Sequence, residues 1–102
     1  MRADLIENKL VVWDIADSRK LFSSGFFGKP IGIPKPKQND FDVPIILDLF
    51  EAYYLSSKSE IQIFEDGKRV SLEKLQKICK DAVFQFKEKL LVYTKLRDAG
   101  FV

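Results

Sequence analysis

The stretch EIQIFEDGKRVSLEKL, Glu60–Leu75, holds three elements in sixteen residues. Ile61 and Ile63 alternate with Gln62 and Phe64, which is the period of a strand with one face buried. Asp66-Gly67 then supplies a pair of residues that tolerate positive φ, the requirement of a tight hairpin turn. Lys68–Val70 forms the return strand. Ser71 follows as a helix N-cap, with Glu73 in the first turn, where the helix dipole favours negative charge. A strand pair feeding directly into a capped helix marks an α+β domain.

Downstream, Leu72, Leu75, Cys79, Ala82, Phe86, Leu90, Tyr93 and Leu96 recur at steps of three and four residues. The spacing predicts one long amphipathic helix from Ser71 to about Gly100, where glycine ends it. Upstream, FDVPIILDLFEAYYLSSK reads as a second helix, with Asp42 as N-cap and Pro44 in the first turn. Ile46, Leu49, Phe50 and Tyr53 would form its apolar face. Between Gly28 and Asp40 the prolines 30, 34 and 36 exclude a helix interior or a central strand. That segment reads as a surface loop or edge segment, basic through Lys29, Lys35 and Lys37. Nearer the start, Asp17 or Ser18 would cap a short helix ending at Gly25 in left-handed conformation, and Leu5-Ile6 and Leu10–Trp13 flank a polar turn as a first hairpin. The expected architecture is a small antiparallel sheet of short hairpins packed against about three helices, the last one long.

The chain has 102 residues, enough for one domain with a modest core. Thirteen aromatic residues, nine of them Phe, supply the apolar surface that a disordered chain lacks. A net charge of +2 is too small for a dedicated nucleic-acid binder and leaves RNA permitted but not required. One cysteine, Cys79, precludes an internal disulfide and fits a reducing, cytoplasmic setting. No apolar run approaches the roughly 18 residues of a membrane span, and the N-terminus has no apolar core of a secretory signal.

Histidine is absent, which removes the commonest general base and the commonest metal ligand. No glycine-rich phosphate loop, cysteine pair or zinc pattern stands in for it. Cys79 falls on the apolar stripe and reads as a core residue. Asp40 with Asp42 reads as capping, and Asp48 with Glu51 as a solvated helix face. Tyr53, Tyr54 and Tyr93 read as core aromatics with their hydroxyls at the rim. Catalytic residues, cofactor and metal are therefore all expected to be none. The residues alone describe a scaffold or a stand-alone protein-interaction module.

Four pieces in order carry a family resemblance: FFGKPIG, LFEAYYL on a helix, IFEDGKRVSLEKL, and FKEKLLVYTKLRDAGFV. The pattern resembles the N-terminal domain of the archaeal tRNA-splicing endonuclease. Phe27 and Gly28 match its aromatic-glycine step. Glu51, Ala52, Tyr54 and Leu55 match its first helix, and Asp66, Gly67, Ser71, Leu72, Glu73 and Leu75 its hairpin and helix start. The most specific signature is the last, through Tyr93, Leu96, Arg97, Gly100, Phe101 and Val102. The resemblance implies a non-catalytic domain over residues 1–98, with 99–102 opening the connection to a catalytic domain. In the family that second domain carries a Tyr-His-Lys set and cleaves precursor tRNA at bulge-helix-bulge motifs without metal, leaving a 2′,3′-cyclic phosphate. This chain alone is expected to be inactive, to act with a catalytic domain or subunit in a homo- or hetero-oligomer, and to meet precursor tRNA through the assembled enzyme. Lys29, Lys35, Lys37 and Arg97 are the candidate interdomain or RNA contacts.

Overall fold

A computed structural model describes residues 1–34 and 40–101; Lys35 and Lys37 lie outside the described residues. The strands are β1 (Arg2–Ile6), β2 (Lys9–Val12), β3 (Lys29–Pro30), β4 (Ile45–Leu47), β5 (Gln62–Glu65) and β6 (Lys68–Val70). The helices are α1 (Ile15–Gly25), α2 (Leu49–Ser57), α3 (Leu72–Ala82) and α4 (Phe86–Asp98). The strands form one sheet in the order β3-β4-β2-β1-β5-β6. The class is α+β as expected, but the sheet is mixed: β1 pairs parallel to β5, with Arg2 opposite Gln62. That pairing joins two antiparallel units, β5–β6 on one side and β1–β2–β4–β3 on the other.

Both hairpin turns follow from local chemistry. Glu7-Asn8 and Asp66-Gly67 all have positive φ, the geometry that matches strand twist in two-residue hairpins. Alternate strand residues then point one way. Ala3, Leu5, Leu10, Val12, Ile45, Leu47, Ile63 and Val70 meet Leu21, Leu49, Leu55, Leu75 and Cys79 of the helices in a single core. Ser18 is a buried bridge and no cap: its hydroxyl donates to the Val12 carbonyl at 2.8 Å and accepts from the Ile45 amide at 3.2 Å. Asp14 caps α1 instead, accepting from the Asp17 amide at 2.8 Å.

Three boundaries differ from expectation. The second helix starts at Leu49, because Ile45–Leu47 leave helical periodicity to pair with β2, burying Ile45 and Leu47 and turning Ile46 to the other face. Asp48 is its N-cap in a capping box with Glu51, whereas Asp42 pairs with Arg19. The left-handed residue ending α1 is Phe26 and not Gly25. Gly25 is required for space: a Cβ there would lie 2.7 Å from the Phe27 ring.

The long helix is two helices. α3 ends as Val83 turns extended, and Gln85 takes left-handed angles before α4 begins. A straight helix of this length would run about 40 Å, longer than the 34 Å extent of the molecule. The break folds α4 back, so that the Phe86 ring stacks on Phe50 of α2 at 5.1 Å. Every apolar position that the stripe supplied in α3 and α4 is kept within reach of the core except Leu72 and Leu96, which are exposed, and Ala82 at the junction.

Two outcomes check this packing. Gly28 has φ +78°, and an added Cβ would meet Ile45 Cδ1 at 2.9 Å and the Ile46 carbonyl at 3.1 Å, whereas Gly67 at φ +80° has open space around it. Gly28→Ala should therefore cost about 3 kcal/mol or more in urea unfolding, and Gly67→Ala only about 1 kcal/mol. Burial pushes the Cys79 thiol up to about 11, so a thiol reagent at pH 8 should modify it only as the protein unfolds.

Candidate functional site

Arg97, in the last turn of α4, does not lie along its own helix into solvent. Its side chain is 10% exposed and turns inward to the ends of two other helices. Nη1 donates to the carbonyl of Gly25, the last residue of α1, and Nε donates to the Tyr93 hydroxyl at 3.1 Å. Nη2 lies 3.7 Å from Glu51 Oε2 on α2. The guanidinium plane sits 4.0 Å from the Phe27 ring centroid, a stacked cation–π contact suited to arginine. The cation does meet the negative end of a helix dipole, but that of α1.

Glu51 is the other hub. Its carboxylate accepts from the Gly28 amide at 2.7 Å and from the Asp48 amide at 3.0 Å, closing the capping box while holding the chain after α1. Burial raises its pKa; the two amide donors oppose the rise, Asp48 adds to it, and Arg97 opposes it. Gly28 is thereby fixed in a conformation that brings its backbone against β4, and Asp48 with Glu51 form a structural pair in place of a free acidic face.

Aromatic rings seal the junction. Phe27 stacks on Tyr54 at 6.0 Å, and Tyr54 meets Tyr93 edge-on at 5.9 Å. The Tyr54 hydroxyl donates to Asp98 Oδ1 at 2.7 Å, and Lys58 Nζ lies 3.4 Å from the same oxygen. That hydrogen bond raises the Tyr54 pKa and holds the Asp98 carboxyl below its usual range. Burial pushes Tyr93 up to about 12, against the pull of Arg97. A hollow of about 310 Å³ beside this network is lined by Gly25, Phe27, Lys58, Arg97 and Phe101. The network fastens α4 to α1 and α2.

Of the other candidates, Lys29 is exposed on edge strand β3, the edge-segment form of the two expected for that stretch. It is not part of the Arg97 network. Sequence reading missed Gly25, Phe27 and Glu51 as partners of Arg97, because they lie far away in the chain; only Tyr93, four residues back on α4, stands at a helical spacing. The signal available was the aromatic-glycine step at Phe27-Gly28.

An α+β domain whose last helix is fastened by one buried guanidinium to an aromatic-glycine step and a capping-box glutamate is the class defined here. Residues 1–76 match the family model for the tRNA intron endonuclease N-terminal domain, and the chain belongs to that family. Over its whole length it is 38% identical to the tRNA-splicing endonuclease of Hyperthermus butylicus and 35% identical to that of Sulfurisphaera tokodaii. It is likewise 38% identical to the tRNA-splicing endonuclease of Saccharolobus solfataricus. The chain spans 57% of the length of each of these relatives. Among the described residues, no helix is long and apolar enough to cross a membrane.

Removal of the guanidinium leaves Glu51 buried without its countercharge. Arg97→Ala should cost about 3–5 kcal/mol of stability by chemical denaturation, and Arg97→Lys should recover only part because the fork and the stack are lost. Tyr93 has a folded pKa above the ordinary value of 10.0, so its contribution is complete below pH 10 and lost as pH rises through about 12. Unfolding free energy should fall across that window, and Tyr93→Phe should flatten the fall.

Proposed function

We propose that this chain is the non-catalytic N-terminal part of a tRNA-splicing endonuclease, which positions a catalytic domain or subunit on precursor tRNA. Residues 1–98 form the positioning body, and 99–102 lead toward the catalytic part. The observation that carries the reading is the Arg97 junction. Phe27, Gly28, Glu51, Tyr54, Tyr93 and Arg97, which come from three of the four segments shared with the family, converge there on one network. A second support is the outer side of α4, where Leu91, Val92 and Leu96 are exposed beside Phe101. Apolar residues gathered there suit a further packed layer.

The working enzyme on this reading cuts at bulge-helix-bulge motifs in precursor tRNA, without metal, as a homo- or hetero-oligomer in the cytoplasm. Arg97 acts between the domains by fixing α4, and Lys29 acts from the surface. The chain itself contributes placement and no proton transfer, since it contains no histidine.

The native assembly captured through the β5–β6 hairpin tests this. It should cleave a bulge-helix-bulge precursor tRNA in the presence of a chelator and leave 2′,3′-cyclic phosphate ends, while the 102-residue chain alone gives no product. Capture of an assembly without ribonuclease activity, or cleavage by the chain alone, would end the reading.

A further inference from the structure

The helices cover one face of the sheet. Among the described residues no helix covers the other face, and its register assembles a row across all six strands: Lys29, Ile46, Val11, Asp4, Phe64 and Arg69. Val11 is buried yet stands apart from the core cluster, because its cover comes from neighbours on this face. The guanidinium of Arg2 lies 4.2 Å from the Phe64 ring centroid and 3.1 Å from Asp4 Oδ1.

Within the strands, cations outnumber anions on this face. The strand residues whose register directs them here include the cations Arg2, Lys9, Lys29 and Arg69 and one anion, Asp4, which Arg2 neutralises. On the helix-covered side, by contrast, Lys74 pairs with Glu65 and Lys58 with Asp98. Lys9 and Lys29 flank a hollow of about 350 Å³ that is also lined by Ile31, Ile46 and the carboxylates Asp48 and Glu51, both committed to the α2 capping box. Trp13, one residue beyond β2 and in the same alternation as Lys9 and Val11, is 54% exposed.

We propose that this open face binds a single-stranded segment of RNA, with Phe64 and Trp13 stacking bases and Lys9, Lys29 and Arg69 meeting phosphates. An aromatic platform rimmed with cations is what unstacked bases on a charged backbone require. A duplex keeps its bases inside its own stack and offers such a platform nothing. Five strand spacings separate Lys29 from Arg69, roughly 24 Å, which accommodates several nucleotides. The choice of RNA among polyanions rests on the endonuclease reading above.

Trp13 is the only tryptophan and therefore reports on its own site. A titration of the 102-residue chain with a single-stranded 12-nucleotide oligouridine, longer than the face so that its ends do not limit contact, should quench its emission saturably at low salt. The dissociation constant should rise with salt with a logarithmic slope of about 2, from three phosphate contacts. Phe64→Leu should weaken binding at least fivefold. Lys29→Ser with Arg69→Ser should lower the slope by about 1.4, with the circular dichroism of both variants unchanged. Absent quenching, equal binding of a blunt RNA duplex, indifference to all these substitutions, or self-association through this face would each overturn the proposal. The two readings separate cleanly. RNA binding here with no endonuclease in the native assembly leaves the surface and removes the reading; an active endonuclease with no RNA on this face does the reverse.

Discussion

The guanidinium of Arg97 needs partners on every side because it is taken out of water. A buried cation costs several kcal/mol unless it is neutralised and hydrogen-bonded. Here the carboxylate comes from α2, the carbonyl from the end of α1, the hydroxyl from its own helix and the π-face from Phe27. Each partner is itself fixed by something else. Glu51 is held by the capping box, Gly25 by the Phe27 ring that leaves no room for a side chain, and Phe27 by Tyr54. The last helix, which has only Phe86 fully buried, is held as much by this polar and aromatic junction as by hydrophobic burial.

The two faces of the sheet divide the work. Helices α1, α2 and α3 bury the side that carries Leu5, Leu10, Ile45 and Ile63. The other side stays open and gathers cations, because the sheet alternation that sends leucine and isoleucine inward sends Arg2, Lys9, Lys29 and Arg69 outward. Antiparallel sheets commonly leave a face to solvent, and the mixed sheet here does the same with a parallel pair among its inner strands. Structure and surface chemistry thus come from one periodicity read in two phases.

Local signals in the sequence were sufficient for local features. The Asp66-Gly67 turn, the Ser71 cap, the strand phase of Ile61 and Ile63 and the core position of Cys79 all depend on neighbours in the chain. Features decided by distant partners were not legible. Ile45–Leu47 carries apolar residues that fit either a helix or a strand, and pairing with β2 decides between them. The break at Val83–Gln85 contains neither glycine nor proline; the stacking of Phe86 on Phe50 imposes it. For the same reason Arg97 read as a residue near a helix end, since nothing adjacent to it reveals Glu51 or Gly25. The family resemblance brought Phe27, Glu51, Tyr93 and Arg97 together as a motif without showing that they touch.

The parallel pairing of β1 with β5 sets an order on how the chain is made. Arg2 finds its partner strand only after Gln62 has been synthesised, so the ribosome delivers one half of the sheet well before the other. Until then β1 presents an unpaired edge, with the β1–β2 hairpin available early and the centre of the sheet left open. Contacts of this sequence separation are slow to form and expose strand edges meanwhile. The time for which that edge stays exposed is therefore set by the rate of synthesis up to Gln62, and silent codon changes before that point would alter it without altering a single residue of the folded domain.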